Sequence, residues 1–94
     1  MLKLKRSPGQ SIMIGDDLKI TLERISQTDV AVSINEREVT ISRGGSHKIS
    51  DDIAIHILAI LPNMISIGIH APKKIPIFRD EIYKRIQRRK ADSP

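Results

Sequence analysis

Apolar residues alternate with polar ones in short runs along most of the chain. Leu2-Lys3-Leu4-Lys5 alternates as a half-buried strand does, and Ser7-Pro8-Gly9 ends it with turn residues. Ile12 and Ile14 mark a second strand, closed by Gly15-Asp16-Asp17. Leu18, Ile20, Leu22 and Ile25 mark a third, closed by Ser26-Gln27-Thr28-Asp29. Val30, Val32 and Ile34 give a fourth, and after Asn35-Glu36-Arg37-Glu38 the residues Val39 and Ile41 lead to Arg43 in a fifth. Gly44-Gly45 breaks the run. Ile53/Ile55/Ile57, Ile65/Ile67/Ile69 and Ile75/Ile77 then repeat the layout, separated by turns at Pro62-Asn63 and at Ala71-Pro72-Lys73-Lys74. Short alternating strands between turn signals predict an antiparallel-rich β-sandwich or barrel of about nine strands. Pro76 has no N–H for a ladder, so the last strand is expected at an edge or with that bond position facing outward. Helical character appears only at about 80–90. There Asp80 and Glu81 suit a helix start, Arg88 and Arg89 suit its end, and Ile82, Tyr83 and Ile86 form a narrow apolar stripe.

The pattern is an internal repeat. A shift of thirty-five residues lays Ser11–Asp17 over Ser46–Asp52 and pairs Ile20 with Ile55, Leu22 with Ile57, Val30 with Ile65 and Val32 with Ile67. With one extra residue allowed at the Ala71-Pro72-Lys73 turn, Val39–Arg43 falls on Ile75–Arg79. One domain over 1–94 is expected, with copy one at 1–44 and copy two at 45–90 including the helix.

With 94 residues and only Phe78 and Tyr83 as aromatics, the core must be thin and built from Ile, Val and Leu. The absence of cysteine removes disulfides and thiolate metal sites and fits a reducing, cytoplasmic setting. The run around Ile57–Leu61 is too short to cross a bilayer, and no apolar signal stretch follows Lys3, Lys5 and Arg6. No membrane partner is expected. The net charge of +5 is uneven: residues 1–6 carry +3, residues 7–72 carry −3 and residues 73–94 carry +5. Basic charge gathered at both ends is the footprint of a polyanion binder, although basic termini also simply aid solubility.

Catalysis finds little support. Ser46, His47 and Asp51 have the residue types of a hydrolase triad but crowd one turn and one short strand. His47, His56 and His70 have no metal-site spacing, and Gly44-Gly45 lacks the residues of a phosphate cradle. No enzyme activity, metal or cofactor is expected. Lys3, Lys5, Arg43 and Arg79 lie on predicted strands, and Arg6 ends the first. Arginines so placed can grip phosphates or base edges, or simply cap a sheet rim. With so few aromatics, base stacking gives way to arginines, apolar contacts and exposed backbone at sheet edges.

Residues 1–17 resemble the opening of the carbon storage regulator family (CsrA/RsmA), and residues 64–87 resemble its fourth strand, Ala-Pro-Lys turn, fifth strand and helix. The resemblance implies a small bacterial RNA-binding protein that recognises GGA-containing loops in messenger leaders, usually blocking ribosome access, with small regulatory RNAs as competing decoys. It implies a surface joining the first strand of one subunit to the fifth strand of the other. By motif, Leu4 and Arg6 match the first-strand positions, Ile77 and Arg79 the fifth-strand positions, and Ala71, Pro72 and Lys73 the turn near the bases. The family commonly has a second arginine after Arg6. Ser7 stands there instead, which weakens binding without changing the sequence read.

Val39–Arg43 resembles both the family's fifth strand and Leu2–Arg6, so it is expected to serve as both. The expectation is a fused pseudo-dimer, monomeric or further paired as a homodimer, with one full RNA site from Leu4/Arg6 and Ile77/Arg79. A counterpart around Arg43 would be degenerate. The alternative is a paralogue that has lost RNA reading and acts by protein–protein interaction with a conventional family member.

Overall fold

The computed structural model describes residues 1–79 and Ile82. The predicted helix at 80–90 therefore lies, apart from Ile82, outside the described residues. Nine strands follow in order: β1 (Leu2–Arg6), β2 (Ser11–Ile14), β3 (Leu18–Ile25), β4 (Asp29–Ile34), β5 (Arg37–Ser42), β6 (Ser46–Ser50), β7 (Ile53–Ile60), β8 (Ile65–His70) and β9 (Ile77–Arg79). They form two antiparallel sheets, one ordered β1-β8-β7-β6 and the other β5-β4-β3-β2-β9. The mainly β, antiparallel architecture is the one the alternation predicts.

The core lies between the sheets and is almost wholly aliphatic. Ile12, Ile20, Leu22, Val30 and Val32 from one sheet face Ile55, Ile57, Ile65, Ile67 and Ile69 from the other, all buried. Branched side chains suit this pleated interior because their restricted χ1 rotamers cost little to fix in a strand. The two halves interdigitate: β1 joins the sheet built from β6–β8, and β9 joins the sheet built from β2–β4.

The thirty-five-residue repeat is written into the hydrogen bonds. Gly9 N donates to Leu22 O at 2.7 Å, and Gly44 N to Ile57 O at 3.1 Å; Leu22 N donates to Gln10 O at 3.0 Å, and Ile57 N to Gly45 O at 2.9 Å. The β-bulge of β3 between Leu22 and Arg24 recurs in β7 between Ile57 and Ala59. A bulge repeated at the same place bends both sheets alike, so the halves can wrap one core.

One expectation fails here. β5 pairs with β4 as Ile34↔Arg37, Val32↔Val39 and Val30↔Ile41, just as β1 pairs with β8 as Ile69↔Leu2, Ile67↔Leu4 and Ile65↔Arg6. β5 is thus the counterpart of β1, not of β9, and does not double as a fifth strand. The cause is local. Asn35 and Glu36 take positive φ values of 48° and 75°, and this two-residue turn sends the chain straight back along β4. Asn35 fixes the turn by accepting at Oδ1 from Lys19 N (2.8 Å) and donating from Nδ2 to Asp17 O (2.9 Å). Copy one therefore lacks a fifth strand, and β6 is left as an open edge where its counterpart β2 is covered by β9.

Candidate nucleic-acid interface

After β8 the chain does not turn straight back. Residues 71–76 cross to the other sheet, with a tight turn closed by Ile75 N donating to Pro72 O at 3.0 Å. Pro76 then passes Gly15, whose N–H donates to Pro76 O at 2.7 Å. Gly15 has φ 65°, a left-handed backbone that favours glycine, and a Cβ there would meet Ile75 Cγ2 at an ordinary contact of 3.4 Å. β9 follows along β2, with Ile14↔Ile77, Met13↔Phe78 and Ile12↔Arg79. As the missing N–H of Pro76 predicts, β9 is an edge strand.

This crossing places the start of β1 and the start of β9 around one cleft of about 500 Å³. Its lining includes Leu2 from β1, Ala71, Pro72 and Lys73 from the crossing loop, and Ile77 from β9. The sequence-predicted residues Ala71, Pro72, Lys73 and Ile77 thus come together beside the first strand. Leu4 continues inward from Leu2 and packs against the core. Lys3 and Lys5 point the other way and are exposed, as is Arg79 at the far end of β9. Among the described residues β1 and β9 each pair on one side only, so the cleft is flanked by two strand edges.

Arg6 and Arg43 differ from the sequence picture. Arg6 is buried, with Nε donating to Lys5 O at 2.8 Å and Nη1 to Ser11 O at 3.3 Å, so it ties the end of β1 to the start of β2. Its counterpart across the repeat is Ile41, equally buried. Arg43 does not end a strand equivalent to β9. It lies in the turn after β5, where its N–H donates to Thr28 O at 2.8 Å, and its counterpart is Pro8. Arg43 lines a separate cleft with Ile25, Gln27 and Ile60, away from the residues of β9.

Met1, Leu2, His70 and Ile75 also line the first cleft and were not singled out from the sequence. Only their adjacency to the motif residues could have pointed to them. At the position related by the repeat, Glu36 and Arg37 stand where Met1 and Leu2 do, and neither a crossing loop nor a fifth strand is present. Among the described residues no group of His, Cys, Asp or Glu could hold a metal ion, and no helix is long and apolar enough to cross a membrane. The cleft offers apolar walls, two strand edges and Lys73, and Lys3, Lys5 and Arg79 stand exposed on the strands that flank it: equipment for holding a polyanion with exposed bases.

The CsrA global regulator protein family is matched twice, by residues 1–45 and by residues 39–88. The two matches overlap on β5, the segment whose sequence resembles two different strands. No solved structure matches the chain. The two matches together span nearly the whole sequence, and the chain belongs to this family of post-transcriptional, non-enzymatic RNA-binding regulators as a tandem duplication of its unit.

Proposed function

We propose that this member of the CsrA global regulator family reads GGA-bearing single-stranded loops of messenger leaders or small RNAs through one complete site per chain. Translation of a messenger whose ribosome-binding region is covered in this way would be repressed. One observation carries the reading: β1 and the segment from Ala71 to Ile77 share a cleft, whereas among the described residues the repeat-related position has no crossing loop and no fifth strand. In this reading Lys73 and Arg79 hold phosphates or base edges of the loop. Leu4 and Ile77 set the apolar walls, Ala71 and Pro72 present backbone groups to the bases, and Arg6 fixes the end of β1. A gel-shift titration with a GGA-loop hairpin and a scrambled-loop control tests it. Preference for the GGA loop is expected, and equal affinity for both would defeat the sequence-specific claim.

A second reading draws on the burial of Arg6 and on Ser7 in place of an arginine, both of which reduce the cations open to RNA. In that reading the protein binds RNA weakly and acts by pairing with a conventional relative. Co-expression with such a relative discriminates: a heteromer devoid of RNA affinity supports the second reading, and separate proteins support the first.

A further inference from the structure

The outward faces of the two sheets, related by the repeat, have diverged in opposite directions. On the five-stranded sheet a shallow concavity is lined by Lys19, Thr21, Glu23, Ser33, Asn35 and Glu36. It carries charge of both signs: Glu23 accepts from Ser33 Oγ at 2.7 Å, Lys19 and Glu36 lie on the same lining, and beside it Arg24 pairs with Glu38 at 2.8 Å. This is an ordinary solvated surface.

Thirty-five residues on, the same positions of the four-stranded sheet hold Ala54, His56, Leu58, Gly68, His70 and Ala71. Every carboxylate has gone. Met1 lies across Gly68, where an added Cβ would collide with its sulfur and come within 3.2 Å of Leu58 Cδ1. Met1 and Leu58 thus form an apolar spot at the middle of the face, 63% and 41% exposed. Lys3 and Lys5 flank it on β1, at positions where β5 carries Glu38 and Thr40. Lys48 lies at the far strand, where it pairs with Asp51 of the β6–β7 turn at 3.7 Å. The face is also continuous with the candidate RNA cleft, because Met1 and His70 line that cleft as well.

We infer that this face is a second RNA contact surface, and that it takes the single-stranded flank of the RNA whose loop fills the cleft. The inference rests on the proposed function and extends it. Lys3 and Lys5 hold backbone phosphates, and an unpaired base rests on the Met1–Leu58 spot beside His56. A flank is favoured over a duplex stem because a stem keeps its bases stacked inside and has nothing to offer the apolar spot.

The test compares a GGA-loop hairpin with blunt ends against the same hairpin carrying unstructured adenosine flanks on its 5′ side, its 3′ side or both. For the full chain, at least one flanked RNA is expected to bind about threefold or more tighter than the blunt one, with a steeper salt dependence. Each phosphate gained should add about 0.7 to the slope of log affinity against log salt. Leu58→Glu and His56→Glu should each abolish that gain and leave blunt-hairpin affinity unchanged. Thr21→Glu, the repeat-related change on the other sheet, should alter neither. Thermal melts check each variant, and His56→Glu carries the test alone should Leu58→Glu unfold. No gain from any flank, or a gain that survives both face variants, overturns the inference while blunt-hairpin binding still upholds the proposed function. Failure to bind any of the RNAs removes the reading beneath it.

Discussion

The Arg6 guanidinium is held against the carbonyls of Lys5 and Ser11, whereas Arg79 stands exposed on an edge strand. Their substitutions should therefore fail in different ways. Arg79→Ala should weaken binding to a GGA hairpin by about 1–3 kcal/mol with an unchanged melting temperature, as expected for a side chain that touches RNA and little else. Arg6→Ala should lower stability by about 1–3 kcal/mol, because buried carbonyls lose their donor. Chemical denaturation alongside the binding titration separates the two. Arg43→Ala should leave both unchanged, since Arg43 is exposed and lines another cleft. All three arginines end apolar-polar runs in the sequence, and nothing in that pattern distinguishes them. Burial and the crossing of residues 71–76 do, and both depend on contacts between distant segments.

At the scale of elements, the unequal pair is β2 and β6. β2 carries Ile12 and Met13, 1% and 7% exposed, and pairs with β9, whereas β6 carries His47 and Lys48 at the same places and, among the described residues, has no strand beyond. β6 is also short, and its pairing with β7 shifts register between Lys48 and Ser50. A lysine, an irregularity and a short length all discourage an exposed edge from recruiting another chain. The wild-type protein is therefore expected to remain a monomer of 10.6 kDa. Restoring the covered-strand residues by His47→Ile with Lys48→Met should produce dimers or larger species in size-exclusion chromatography with light scattering. Every strand but β6 was legible from alternation and turn residues, and β6 and the core pairs from the repeat. The role of β5 was not. Its sequence fits two strands of the family unit, and the choice is made by the Asn35–Glu36 turn, which depends on hydrogen bonds from Asn35 to Lys19 and Asp17.

As a whole the molecule is one core shared by two interlaced repeats, so neither half should fold alone. Ile55 and its repeat partner Ile20 lie fully within that core, and Ile55→Ala should cost about 2–5 kcal/mol in a single cooperative unfolding transition. Function is not shared equally. Among the described residues the repeat supplies two first strands, β1 and β5, but one fifth strand, β9, and hence one cleft between a first strand and a fifth. A protein with two equal sites could bridge two motifs in one RNA and gain from avidity; with the single site proposed here, no such gain is expected. The most direct test is the mass of the complex formed with excess GGA hairpin, measured by native mass spectrometry. One chain with one hairpin is predicted, and at the same hairpin concentration Arg79→Ala should form less of that complex. Two hairpins on one chain, or one hairpin still bound by Arg79→Ala with undiminished affinity, would contradict the account.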